Sequence, residues 1–275
     1  MDYQEKHPMI WPFKPSTKKQ IAKIEINGAI ASDTRKRVLE ALKTVEERKF
    51  PALLLRIDSP GGTVADSQEI YAALQRLQEK VKIVSSFGNI SASGGVYIAM
   101  GSPYIVTNPG TITGSIGVIL RGNNLERLLD KVGVSFKVIK SGPYKDILAF
   151  DRELTREEQE ILQNMIDVTY QQFVETIAQA RHLEVETVKT FADGRVFTGE
   201  QALALGVVDR LGTEEDARRW ACELVGLNPD KTTTFLIEEP KSLVNRVLSR
   251  NQSYFLQQME FELLTNGHPL WLYRP

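Results

Sequence analysis

Four short strings hold the residues that could do chemistry: Asp58-Ser59-Pro60-Gly61-Gly62, Ala92-Ser93-Gly94-Gly95, Thr113-Gly114-Ser115-Ile116-Gly117 and Ser141-Gly142-Pro143-Tyr144-Lys145-Asp146. A serine set where a strand turns sharply into a helix is held out of the sheet, with helix N–H groups behind it. Such donors suit an oxyanion, so Ser93 is the candidate nucleophile. The motif lacks the paired glycines, two residues either side of the serine, of the nucleophile elbow. Ser93 could equally do no more than cap a helix.

A serine nucleophile needs a base. His7 and His268 lie in the terminal arms and His182 ends a long helical pattern, so a Ser-His-Asp arrangement is not expected. Lysine is the alternative. It acts as a base once its pKa, about 10.4 in water, falls toward neutrality, and burial does this by disfavouring the charged form. Most lysines here stand in charged helical surroundings. Lys145 instead sits in a Gly-Pro loop beside Tyr144, Ile147 and Leu148. Loop position alone also fits a plainly exposed lysine. Oxyanion donors could come from Gly94 and from Gly61 or Gly62, where missing side chains allow close backbone approach; a simple turn would use the same glycines. Ser115 could hydrogen-bond a neutral lysine amine and aim it.

The elements that must position these residues read as α/β. Ile21–Ile26 alternates as a strand. A helix with Val38, Leu39, Leu42 and Val45 on one face follows, with Asp33 as its expected N-cap. Pro51–Ile57 reads as a buried parallel strand. A helix through Ile70, Leu74 and Leu77 leads to a strand over Val81–Ser86, and then to the Ser93 turn and a helix over Val96–Met100. This order predicts right-handed crossovers in a parallel sheet. Strands are expected at Tyr104–Thr107 and Ser135–Ile139, and a helix at Asn124–Lys131. A long helix over about Thr155–Arg181 opens on a Thr155/Glu158 capping box. A short helix capped by Thr198, a strand, and a helix over Glu214–Val225 complete the pattern. Thr232–Thr234 reads as irregular or edge structure, and Lys241–Glu262 as an amphipathic helix.

The totals set limits. A chain of 275 residues with 42% hydrophobic and 25% charged residues has ordinary globular composition. A formal net charge of −1 gives no electrostatic case for nucleic acid. With Cys222 as the sole cysteine, neither an internal disulfide nor a Cys-rich zinc site is possible. No apolar run reaches the roughly 18 residues that span a bilayer, and no secretory signal is visible, so the expected location is cytoplasmic. Ile10, Trp11 and Phe13 beside Lys14, Lys18 and Lys19 suit peripheral membrane contact or docking on the protein itself. The apolar tail Leu270–Tyr273 suits a substrate groove, filled by strand addition, or the surface of an oligomer.

The four strings, in this order, resemble those of the signal peptide peptidase A family in its short single-copy form, over about Ile21–Leu227. The resemblance implies a Clp protease/crotonase-like fold, with a leader arm at 1–19, a protease domain at 20–227 and a helical C-terminal extension and tail at 228–275. It implies Ser93 as nucleophile, Lys145 as general base, Ser115 as the hydroxyl that orients the lysine, and Gly94 with the Gly61-Gly62 turn as oxyanion donors. The implied activity is serine endopeptidase action on short apolar peptides such as cleaved signal peptides, without metal or organic cofactor. The implied assembly is a homo-oligomeric, octameric ring in which Ser93 of one protomer meets Lys145 of the next. The alternatives are a crotonase-like acyl-CoA enzyme and a non-catalytic membrane-associated scaffold. Many family members carry an N-terminal transmembrane anchor, and none is visible here.

Overall fold

The computed structural model describes residues 17–237 and 269–273. His7, the leader aromatics, His268 and the stretch Lys241–Glu262 lie outside those residues. In chain order the elements are β1 (Gln20–Asn27), α1 (Ser32–Glu47), β2 (Ala52–Ser59), β3 (Gly61–Thr63), α2 (Val64–Leu77), β4 (Lys82–Ala92), α3 (Gly94–Ala99), β5 (Tyr104–Thr107) and β6 (Ile112–Gly114). There follow α4 (Glu126–Val132), α5 (Arg156–Arg181), α6 (Val185–Lys189), β7 (Val196–Thr198), α7 (Gly199–Ala204), β8 (Arg210–Leu211), α8 (Glu214–Leu224), β9 (Thr233–Leu236) and β10 (Leu270–Leu272).

The main sheet runs β7-β6-β4-β2-β1-β9, with β5 and β8 branching from β4. Every pairing in it is parallel except β6 with β7. Side chains alternate across the strands and sort the core into two layers. Ile24, Ile26, Leu53, Leu55, Ile57 and Ile83 pack with Val38, Leu42 and Val45 of α1 and Ile70, Leu74 and Leu77 of α2. Ile21, Ala52, Leu54 and Val84 point the other way, onto Ala217, Ala221 and Cys222 of α8. Both faces are covered, which is why β2 reads as a nearly unbroken apolar run. Each fully buried Leu, Ile or Phe contributes about 1.5–3 kcal/mol of transfer free energy to this framework.

β4 is long enough to serve two neighbours. Its first half, Val84–Ser86, pairs with β5, and its last residues, Ile90–Ala92, pair with β6. The strand runs past Ser86 to Ala92, longer than expected from the apolar run, because Thr113 and Gly114 give its polar end a partner. The register therefore sets Gly114 beside Ala92, and Ser115 follows directly.

Several expectations are corrected. Asp33 lies in the first turn of α1 and the N-cap is Ala31, with no side-chain cap bond; a carboxylate there still suits the positive end of the helix. Residues 134–140 form no strand. Val134, Phe136 and Val138 alternate as a strand would, but each is about half exposed, Ile139 is fully exposed, and no strand among the described residues takes up their backbone groups. Thr233–Leu236 is a true edge strand, parallel to β1. The capping boxes at Thr155/Glu158 and Thr198/Gln201 are both present. Among the described residues, no helix is long and apolar enough to cross a membrane.

Candidate active site

Ser93 is the single residue between β4 and α3. Its backbone stands at φ 52°, ψ −114°, a region that costs a non-glycine residue about 1–3 kcal/mol. Two hydrogen bonds hold it there. The Ser93 N–H donates to the Gly114 carbonyl at 2.8 Å, and the Tyr97 N–H donates to the Ser93 carbonyl at 3.0 Å. The Ser93 side chain makes no capping bond to α3. Its Oγ is buried and has no hydrogen-bond partner among the described residues. Ser93 thus occupies the N-cap position without capping, and its hydroxyl is held free.

Around it the backbone is crowded. Gly61 has φ +100°, and a Cβ placed on it would fall 1.9 Å from the Trp271 carbonyl oxygen and 2.7 Å from the Gly94 nitrogen. A Cβ on Gly94 would fall 2.8 Å from Ser67 Oγ and 3.2 Å from both the Gly62 nitrogen and the Trp271 oxygen. The Trp271 carbonyl therefore fills the space where Gly61, Gly62 and Gly94 converge. The Gly61 N–H donates to Ser59 Oγ at 3.1 Å.

Trp271 belongs to β10, which lies antiparallel to β3 with Leu270 opposite Thr63, Trp271 opposite Gly62 and Leu272 opposite Gly61. At its ends the Val64 N–H donates to the Pro269 carbonyl at 3.4 Å and the Tyr273 N–H to the Pro60 carbonyl at 2.6 Å. On its other edge Leu270 and Ile119 exchange N–H to carbonyl bonds of 2.9 and 3.1 Å. The tail is a strand inserted between two backbone rails, beside the nucleophile candidate. Strand addition, one of the two expected placements, describes how β10 pairs with β3.

Ser115 also has a positive φ, 50°, and its N–H donates to the Arg195 carbonyl at 2.8 Å. It lines a cavity of about 300 Å³ with Gly117, Ile119, Arg121, Leu270 and Leu272. Ser93, Ser115, Gly61, Gly62 and Gly94 are thus brought together by β4, β6 and β3.

Lys145 is not brought to them within one chain. It is exposed, on a loop outside the sheet, and Ser93 Oγ has no partner among the described residues. The loop itself is anchored. Arg152 binds Glu158 at 2.6 Å and Asp146 at 2.9 Å, and Lys140 reaches Asp146 at 2.6 Å. The Arg152 guanidinium pulls both carboxyls down to about 2, helped at Asp146 by Lys140 and at Glu158 by the Thr155 N–H. His182 caps the C-terminus of α5 in the left-handed conformation and lines a separate cavity with Arg181 and Asp209.

Sequence reasoning missed the pocket that receives the Trp271 ring. Tyr97 stacks on it at 4.0 Å and Phe173 at 4.7 Å. Tyr97 stands one helical turn after Ser93, a spacing that could have pointed to it. Phe173, far along the chain on α5, has no such signal.

The model of peptidase family S49 matches residues 75–228, and that of Clp protease matches residues 16–106. The chain is 69% identical to the Synechocystis protein named "Putative protease slr0021", over 97% of this chain and 100% of the other. It is 36% identical to the Enterococcus faecium protein named "Putative signal peptide peptidase SppA", over 74% of this chain and 62% of the other. The solved structure of a point mutant of the membrane-bound stomatin-specific protease 1510-N superposes with TM-score 0.54 at 18% identity, covering 81% of this chain and 99% of that one, which shows a common fold. The fold is the Clp protease-like α/β fold, and the chain belongs to peptidase family S49, the signal peptide peptidase A family.

Proposed function

We propose that the chain is a serine endopeptidase that cleaves extended apolar peptides, cleaved signal peptides among them, with Ser93 as nucleophile and Lys145 of a neighbouring protomer as general base. The observation that carries this reading is the strand β10. Its Trp271 carbonyl sits between Gly61 and Gly94, next to a buried Ser93 hydroxyl without a partner among the described residues. A peptide bond in that position meets a nucleophile and backbone donors together.

In the proposed cycle the neutral lysine amine takes the Ser93 proton as Oγ attacks the carbonyl. The oxyanion forms against the N–H groups of Gly94 and the Gly61-Gly62 turn. The C–N bond breaks, the leaving amine takes the proton from lysine, and an acyl-enzyme remains. Water, deprotonated by the same lysine, then releases the acid. Ser115 beside Ser93 orients the incoming amine. The exposed position of Lys145 supports completion of the dyad between chains, because a base on an outer loop can enter the groove of an adjacent copy. The exposed apolar residues Leu128, Val132, Phe136, Ile139 and Phe150 supply surface for that contact, in keeping with a ring of protomers. Peripheral membrane contact through residues 1–19 would bring the ring to membrane-derived peptides.

The test is cleavage of an internally quenched apolar peptide by the wild type and Ser93→Ala side by side, with fluorophosphonate labelling. Turnover and labelling should both vanish in Ser93→Ala. Cleavage that persists there, or acyl-CoA binding without labelling, refutes the reading.

A further inference from the structure

The ring of Trp271 enters the protein's interior directly below the carbonyl that lies in the glycine cradle. Side chains alternate along a strand, so Leu270 and Leu272 turn the other way, toward the Ser115 cavity. Trp271 points inward and is fully buried, joining the main core, while Leu270 is buried on the opposite side and Leu272 only partly. Its ring centroid lies 4.0 Å from Tyr97 and 4.7 Å from Phe173; Tyr97 in turn contacts Phe173 at 5.3 Å and Tyr71 at 5.1 Å. These are the offset and edge contacts that aromatic rings favour. Tyr97 is fixed to Ser93 by the first backbone bond of α3, so the pocket and the nucleophile move as one body.

From this we infer that the Tyr97–Phe173 pocket selects a bulky aromatic residue on the acyl side of the cleaved bond, and that Trp271 is its resident occupant. The inference rests on the peptidase reading above. One further detail identifies what the pocket recognises. A buried indole N–H normally finds an acceptor, yet Trp271 Nε1 is buried with no partner among the described residues. The Tyr97 hydroxyl is engaged by Thr176, and no described residue presents an acceptor to the indole N–H, so the pocket fits an aromatic hydrocarbon better than an indole. Phenylalanine fills it without stranding a donor.

The experiment uses the full chain and a series of quenched peptides Pro-Leu-X-Leu-Tyr, with X as Phe, Trp, Leu, Ala or Lys. We expect kcat/KM for Phe to exceed that for Ala by at least about tenfold, with Phe at least equal to Trp. Phe173→Ala should shrink the ratio to about threefold or less; Phe173→Leu, a milder change, should give an intermediate ratio if Phe173→Ala proves unstable. The same series is ranked by equilibrium binding to full-length Ser93→Ala, which needs no turnover. A flat ranking, or preference for Ala or Lys, in binding overturns the pocket whatever the catalytic result. Absence of cleavage with the aromatic ranking intact in binding overturns the peptidase reading and leaves the pocket standing.

Discussion

Ser93 combines two costs: a positive φ and a buried hydroxyl with no partner among the described residues. Ser93→Ala removes the stranded hydroxyl and should raise stability by about 1 kcal/mol. Ser93→Gly removes the backbone penalty as well and should exceed Ser93→Ala by roughly a further 1 kcal/mol, both variants being inactive. Chemical denaturation of the three proteins measures this order. The turns at Ser93-Gly94, Gly61-Gly62 and Gly114-Ser115 were legible because each is local: they sit at strand ends where backbone comes close. What was not legible is contact across the chain. Phe173 and Trp271 meet Tyr97 only after α5 and β10 have docked; the apolar tail marks Trp271 as a residue that docks somewhere, and nothing near Phe173 marks it as the place.

The elements with strong period, α1, α5, α7 and α8, agree with the sequence to within a few residues, and all but α1 carry a side-chain cap. The failures are of two kinds. β3 and β7 have three residues each, too few for alternation to register. Residues 134–140 have the alternation but lack a partner strand among the described residues, and hydrogen bonding, not pattern, makes a strand. The loop that follows them is held to the start of α5 by Arg152, Asp146 and Glu158. Both carboxyls titrate at about 2 in the folded chain against 3.8 and 4.5 ordinarily. A depressed folded value means that the stabilisation is complete above about pH 4.5, and is lost as the pH falls toward 2. The protection factors of residues 144–158, measured against the intrinsic exchange rate at each pH, should therefore fall in that window before those of the central sheet. Arg152→Gln should produce the same local loosening at neutral pH. Equal protection in both proteins would show that the ion pairs do not anchor the loop.

At the scale of the molecule, the outer face of α5 carries Ile161, Met165 and Val168, exposed at helical spacing. Leu128 and Val132 of α4, and Val134, Phe136 and Ile139 after it, are exposed apolar residues as well. Assembly would cover them and carry Lys145 to a neighbour's Ser93. Ser93→Ala and Lys145→Ala proteins, each inactive alone, should regain partial turnover when reassembled together under two affinity tags. Mixed particles that stay inactive would exclude a shared dyad. The fold that displays these surfaces was visible from strand and helix order; the way the surfaces meet was not, because a single chain's pattern marks what is apolar and leaves open what covers it.

The seat of β10 also decides which chains can be read at all. Its rails at Pro60–Val64 and Ile119 engage backbone N–H and carbonyl groups on both edges of a five-residue stretch. In a helix or an interior strand those groups are already bonded within the protein, and releasing five residues of them means local unfolding. In the proposed peptidase the groove would therefore sort by conformation before it sorts by side chain: an intact neighbour would pass unrecognised, and a segment already freed from its fold would be taken up.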